Sequence, residues 1–146
     1  MVGNLIEMKQ MSVDKAFLDT NVLVYLYSDS EKDKQQKAFK EINKYIRFVS
    51  TQVLTEFCNI CLKKLQLSRF DVDNALTEIL NTCNLIIVDD SDIRKSISIY
   101  EKYKYSYYDS LVIESAIEAD CDFLLTEDMY DGQIIENTLE IRNIFK

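Results

Sequence analysis

The sequence predicts an α/β fold, a parallel sheet with helices on both faces. Three observations carry that prediction. Short apolar runs at Ala16–Leu18, Leu85–Val88 and Phe123–Leu125 read as buried strands. Stretches of helical spacing alternate with them. Acids and hydroxyls follow the strands at their carboxyl ends, where open α/β sheets collect function. With 146 residues, 47% of them hydrophobic and 29% charged, the chain suits one domain around one sizeable core.

In order, residues 1–12 are read as a lead outside the domain and a candidate for disorder, with Met8 and Met11 as alternative starts. They lack the long apolar stretch of a secretory signal, so a cytoplasmic location is expected. The domain is read over residues 13–146. Ala16–Leu18 is the first strand, with Asp19 at its end and a short helix through Val22–Tyr27 entered at Asn21 or soon after. Ser28–Lys37 is polar and charge-dense, and helical spacing runs over Ala38–Ile46. Phe48–Ser50 is a strand, and a helix runs from Thr51 or Gln52 to about Leu65. Ser68–Phe70 is a turn, with Asp71 as the cap of the helix through Leu80. Leu85–Val88 is a strand, Asp89–Asp92 opens a helix through Tyr100, and Ser106 starts another to about Ala119. Phe123–Leu125 is a buried strand and Thr138–Ile141 a last one. Two glycines and no proline leave no flexible linker or phosphate-cradling loop.

Composition removes whole classes of chemistry. There is no histidine, so Ser-His-Asp and Cys-His catalysis and most zinc sites are excluded. Cys58 and Cys61 form a single C-x-x-C placed mid-helix, without the second pair zinc needs or the helix N-terminus a redox pair wants. They, with Cys83 and Cys121, are read as reduced, neutral core residues. The net charge of −8 argues against a broadly basic nucleic-acid surface, though not against a local basic strip. No apolar run reaches membrane-spanning length. Carboxylates, hydroxyls, lysines or a bound hard cation are left to carry any reaction.

Four acids stand where acids are costly or useful. Asp19 ends a strand, as either a helix cap or part of a site. Glu56 shares a helix face with the apolar Val53, Phe57, Ile60 and Cys61, where an ionised group is expensive unless paired or metal-bound. Asp109 lies on the face of Val112, Ile113 and Ala116. Its competing reading is a capping box from Ser106, although Asp is short for that role. Asp128 belongs to the acidic turn Thr126–Asp131 after a strand, closed by Gly132, where a plain polar turn explains most residues. Asp89, Asp90 and Asp92 are read as helix caps. If the four converge, their repulsion favours protonation or a bound cation. Carboxylate oxygens without His or Cys select Mg²⁺ or Mn²⁺. Such a site suits hydrolysis of a phosphodiester. Thr20, Ser110, Thr126 and Asn21 are placed to orient carboxylates or water.

FLDTNVLVYL, TEFCN, YYDSLVIESAIEADCDFLLTEDMYDGQ and LEIRNIF, in that order and spacing, resemble a PIN domain of the kind found in VapC-like toxins of type II toxin–antitoxin systems. The resemblance covers nearly all of the chain after about Val13. It implies a three-layer α/β/α domain with a parallel sheet of four to five strands, and a Mg²⁺- or Mn²⁺-dependent endoribonuclease. Asp19, Glu56, Asp109 and Asp128 would then be the catalytic acids, Asp19 and Asp109 the principal metal ligands. Thr20, Asn21 and Thr126 would support them, with Asp131 as an extra acid. The resemblance also implies an RNA substrate, a homodimer and a cognate antitoxin covering the acidic site. Lys32, Lys34, Lys37, Lys63, Lys64 and Arg69 are candidates for a basic rim, although a plain solvated helix face is the better reading of most of them. The alternatives are a PIN-like scaffold that binds RNA or protein without cutting, and a phosphatase with Asp19 as nucleophile. A receiver-like signalling domain lacks its phospho-acceptor and lysine.

Overall fold

The computed structural model describes residues 13–146; the lead expected over 1–12 lies outside the described residues. Its first strand, β1 (Lys15–Leu18), buries Ala16, Phe17 and Leu18 completely, as a continuous apolar run in a two-face-covered sheet should. Helices α1 (Thr20–Leu26) and α2 (Lys32–Ile42) lead to β2 (Ile46–Ser50). Helices α3 (Thr51–Lys63) and α4 (Arg69–Thr82) lead to β3 (Asn84–Ile86). Helices α5 (Asp90–Tyr103) and α6 (Tyr107–Glu118) lead to β4 (Phe123–Leu125), and the short β5 (Ile134–Ile135) and β6 (Leu139–Arg142) close the chain.

One sheet takes all six strands in the order β3-β2-β1-β4-β6-β5. Five strands run parallel, and β5 pairs antiparallel with β6 at the edge. The α/β fold with a mostly parallel sheet flanked by helices is as expected, with one strand added. α1 to α4 pack on one another, and α5 packs on α6. α6 is buried from Ser110 to Ala116, the all-round burial of a central helix, and rests on β2 and β4.

Three local readings change. The charge-dense stretch from Lys32 is helical, with only Ala38 and Ile42 buried. The helix ends at Ile42, so Ile46 opens β2 instead of closing a helix. A solvated helix needs only a narrow apolar stripe, and charges hid its first two turns. Ser68, not Asp71, caps α4, its hydroxyl accepting from the Asp71 N–H at 3.1 Å. Strand β3 is displaced toward the N-terminus, at Asn84–Ile86. The four cysteines are free; burial pushes the Cys61 thiol up to about 11 and Cys121 up to about 12, so both stay neutral.

Topology sets the place of the site. From β1 the chain proceeds to β2 on one side, while β4 pairs with β1 on the other. The order therefore reverses between β1 and β4, and the crevice beyond their carboxyl ends is where a doubly wound sheet binds ligands.

Candidate active site

Leu18 pairs with Leu125 at the ends of β1 and β4, and the Asp19 N–H continues the ladder to the Leu125 carbonyl at 3.0 Å. That register sets Asp19 beside Thr126, 107 positions away in sequence. The Thr126 hydroxyl donates to one Asp19 oxygen at 2.8 Å, and the Thr20 N–H donates to the other at 2.8 Å. Asp19 thus caps α1 and also lines the cleft, so the two readings of it are compatible. It is 6% exposed. Burial pushes its carboxyl up to about 6, against those two hydrogen bonds, and the charges of Asp109 and Glu56 push the same way.

The other acids arrive from separate elements. Glu56, on α3, accepts from the Thr20 hydroxyl at 3.1 Å and from the Gln52 amide at 3.1 Å. Gln52 Nε2 also donates to the Tyr108 carbonyl at 3.1 Å, tying α3 to the first turn of α6. Asp109 sits in that turn, where the Ser106 hydroxyl accepts from its N–H at 3.1 Å. Burial raises the Asp109 carboxyl, and the charges of Asp128 and Glu56 add to the rise. Asp128, after β4, accepts from the Asn21 amide at 2.9 Å, while its N–H donates to the Thr126 hydroxyl at 3.2 Å.

Asp19, Thr20, Asn21, Glu56, Asp109 and Asp128 line one open cleft of about 550 Å³, a volume that accommodates a nucleotide-sized ligand. Thr126 lies fully buried beneath it. Asp131 stands apart. It accepts from the Asn143 N–H at 2.8 Å and lies 3.8 Å from the Lys146 ammonium, bracing the C-terminal turn. Ser110 turns its hydroxyl to the Ser106 carbonyl at 2.8 Å, inside its own helix. Among the described residues, no lysine or arginine forms an ion pair with any of the four cleft acids.

Of the basic-rim candidates, Lys64 lines the cleft. Lys34 stands at its edge in a cluster of its own, 2.5 Å from Glu127, 3.0 Å from the Tyr25 hydroxyl and over the Tyr25 ring. Gln52 was not among the expected site residues. Its position four residues before Glu56 was the available signal, since i,i+4 side chains on a helix meet.

The donor set fits a hard divalent cation. The ligands on offer are carboxylate oxygens, held in place by hydroxyls and amides that orient them without neutralising their charge. Among the described residues, the group of acids whose oxygens lie within 4.8 Å of one another is Asp92, Glu114 and Glu118, elsewhere in the fold, so the four cleft acids are more widely spread. An open spread suits Mg²⁺, which keeps several waters and takes one or two carboxylates together with substrate phosphate oxygens.

A β1–β4 switch-point crevice lined by acids from four elements, on a small mostly parallel sheet, defines the class as an acidic-site α/β domain. The PIN domain model matches residues 16–130, and the chain belongs to the PIN domain family. Among curated proteins none matches the sequence. Solved structures share its fold. A toxin–antitoxin complex from Klebsiella pneumoniae matches with TM-score 0.69 at 18% identity, over 90% of this chain and 98% of that one. VapBC2 from Rickettsia felis, bound to a DNA fragment from its promoter, matches at 0.61 and 18%, over 88% and 99%. VapC20 of Mycobacterium tuberculosis, a sarcin–ricin loop cleaving toxin, matches at 0.60 and 14%, over 75% and 86%. No helix among the described residues is long and apolar enough to cross a membrane.

Proposed function

We propose that the chain is a metal-dependent endoribonuclease, the toxin of a type II toxin–antitoxin pair, acting in the cytoplasm as a homodimer and held inactive by a cognate antitoxin. The observation that carries the nuclease reading is the meeting of Asp19, Glu56, Asp109 and Asp128 in one cleft without an ion-paired lysine or arginine. Membership of the PIN family supports it, as does the fold shared with toxin–antitoxin proteins. In this reading Asp19 and Asp109 are the principal ligands of Mg²⁺ or Mn²⁺, with Glu56 and Asp128 completing the acidic set.

When bound, the cation would supply an activated water and charge stabilisation at the scissile phosphate. The chain's own residues do the positioning. Thr126 and the Thr20 N–H fix both Asp19 oxygens, Thr20 and Gln52 fix Glu56, and Asn21 fixes Asp128. Unneutralised carboxylates repel a polyanion, so RNA approaches productively only with the cation in place and with Lys64 at the rim to meet a phosphate.

The test is cleavage of total RNA with Mg²⁺ or Mn²⁺, with EDTA, and with Asp19→Asn or Asp109→Asn. Cleavage confined to the wild type with metal is expected. Full activity in EDTA or in either variant overturns the reading. Metal binding without cleavage of any RNA would favour a scaffold that binds and does not cut.

A further inference from the structure

A second group of carboxylates lies outside the cleft, where α5 and α6 pack together. Asp92 on α5 and Glu114 and Glu118 on α6 each bring an oxygen to within 4.8 Å of the other two. Asp92 and Glu114 are each 4% exposed; Glu118 faces solvent. We propose that these three residues form a site for a hard divalent cation, best matched by Ca²⁺, that clamps α5 to α6. The site shares no residue with the nuclease cleft and stands or falls independently of it.

Glu114 is the second observation beyond the clustering itself. Its neighbours on α6 from Ser110 to Ala116 are all buried, and its carboxylate takes no hydrogen bond and no ion pair among the described residues. A buried acid without a partner is among the costliest groups a fold can hold. The arrangement raises that cost, because Glu114 and Glu118 are i,i+4 on one helix, where like charges repel. Asp92 has one oxygen committed to the Asp89 N–H at 3.0 Å and one left over.

The resident counter-charge is small. Lys95 lies 3.4 Å from Glu118, one ammonium for three acids. Glu136 adds a fourth acid nearby, and its partner Lys102, at 2.9 Å, is taken. Ca²⁺ takes oxygens in a flexible geometry, whereas Mg²⁺ demands near-ideal octahedral placement. Three oxygens within 4.8 Å of one another, brought by side chains of two helices, suit the more adaptable ion. The exposed side at Glu118 leaves room for water to complete the six to eight oxygens that Ca²⁺ takes.

The competing occupant is a proton, since burial pushes the Glu114 carboxyl up to about 7. The experiment separates the two. The full chain carrying Asp19→Asn and Asp109→Asn, which weaken the cleft as a cation site, is titrated with CaCl₂ by calorimetry and melted with and without Ca²⁺ at pH 7.5. One saturable Ca²⁺ per chain is expected, with Tm rising by several degrees at about 100 times Kd. Both signals should vanish on adding Glu114→Gln, or the exposed Glu118→Gln if the buried change prevents folding. Absence of saturable binding, binding unchanged by both glutamine variants, or a Tm that responds to pH between 6 and 8 and not to Ca²⁺ would overturn the proposal.

Discussion

Helices α5 and α6 begin alike and use their beginnings differently. Each has an acid three residues after its cap, Asp92 after Asp89 and Asp109 after Ser106. In α5 the capping box closes: the Asp92 N–H donates to Asp89 and the Asp89 N–H donates back to the Asp92 carboxylate, both at 3.0 Å. Asp is therefore long enough for the role that its length argued against. In α6 only the first half forms, as the Ser106 hydroxyl accepts from the Asp109 N–H. The Asp109 carboxylate faces the cleft instead, near Glu56 and Asp128. One local motif thus yields a capping acid and a cleft-lining acid, and what separates them is whether the side chain turns back to its own backbone.

Exchanging each acid should break the comparison most visibly. Asp109→Asn should lower RNA cleavage on the order of 10²–10³-fold, the range seen when one preorganised electrostatic contact is removed from a reacting centre. Its effect on folding should be small or favourable, because a carboxylate raised by burial is relieved of its charge. Cleavage rates and melting curves on one preparation test both halves. A variant that cleaves normally, or that fails only because it unfolds, would place Asp109 with Asp92.

The next effect concerns the residues that hold the acids. Gln52→Ala removes the amide bridging Glu56 and the Tyr108 carbonyl, and Thr20→Val removes the hydroxyl on Glu56. Each should cost about 10–100-fold in cleavage or in metal affinity, as loss of an orienting partner does. The Gln52 change should show more in the concentration of metal needed than in the rate at saturating metal. Rates unaffected at every metal concentration would show that α3 and α6 hold their acids without this bridge.

A smaller effect is read in stability. The Asp19 carboxyl is raised from 3.8 to about 6 by burial, so the fold favours its protonated form. The sign follows. Its contribution to stability is full below pH 3.8 and is lost as the pH rises through 6. In EDTA, Asp19→Asn should therefore be more stable than wild type at pH 7.5, by about 2–3 kcal/mol at 1.36 kcal/mol per pH unit. The advantage should shrink to nothing near pH 4. A difference flat with pH would mean that Asp19 ionises normally.

Much of this was legible along the chain because strong local signals and tertiary burial agree. The run Ala16–Leu18 reads as a covered strand, and Ser106 announced the helix it caps, whereas Ser50, read only as the end of a strand, also caps α3. The two-residue β5 was not legible, since Ile134–Ile135 is too short for any period and is made a strand by its neighbour β6. The charged start of α2 was hidden for the opposite reason, a helix held by few buried residues. The acids could be picked out one by one, but their meeting depends on strand order. Nothing local in Asp19 or Thr126 says that β4 lies against β1, and only the pairing of Leu18 with Leu125 makes them neighbours.

The smallest expected effect returns to the closed capping box. Asp92→Ala removes the carboxylate that receives the Asp89 N–H and leaves that donor at the half-buried entry to α5 unpaired. Loss of one capping partner typically costs about 1 kcal/mol, within a range of about 0.5–2. Measured in EDTA, so that no cation at α5–α6 contributes, this should lower Tm by roughly 2–5 °C for a chain of this size. The opposing term is relief of repulsion. Asp92 is one of the charges raising the Glu114 carboxyl, so its removal also spares a buried like-charge contact at pH above 7. The two terms separate with pH. The destabilisation should be largest near pH 6, where Glu114 is mostly protonated and only the cap is lost, and smaller at pH 8, where Glu114 is charged and the missing neighbour helps. A penalty that grows with pH would mean that Asp92 is held in α5 by something other than its cap.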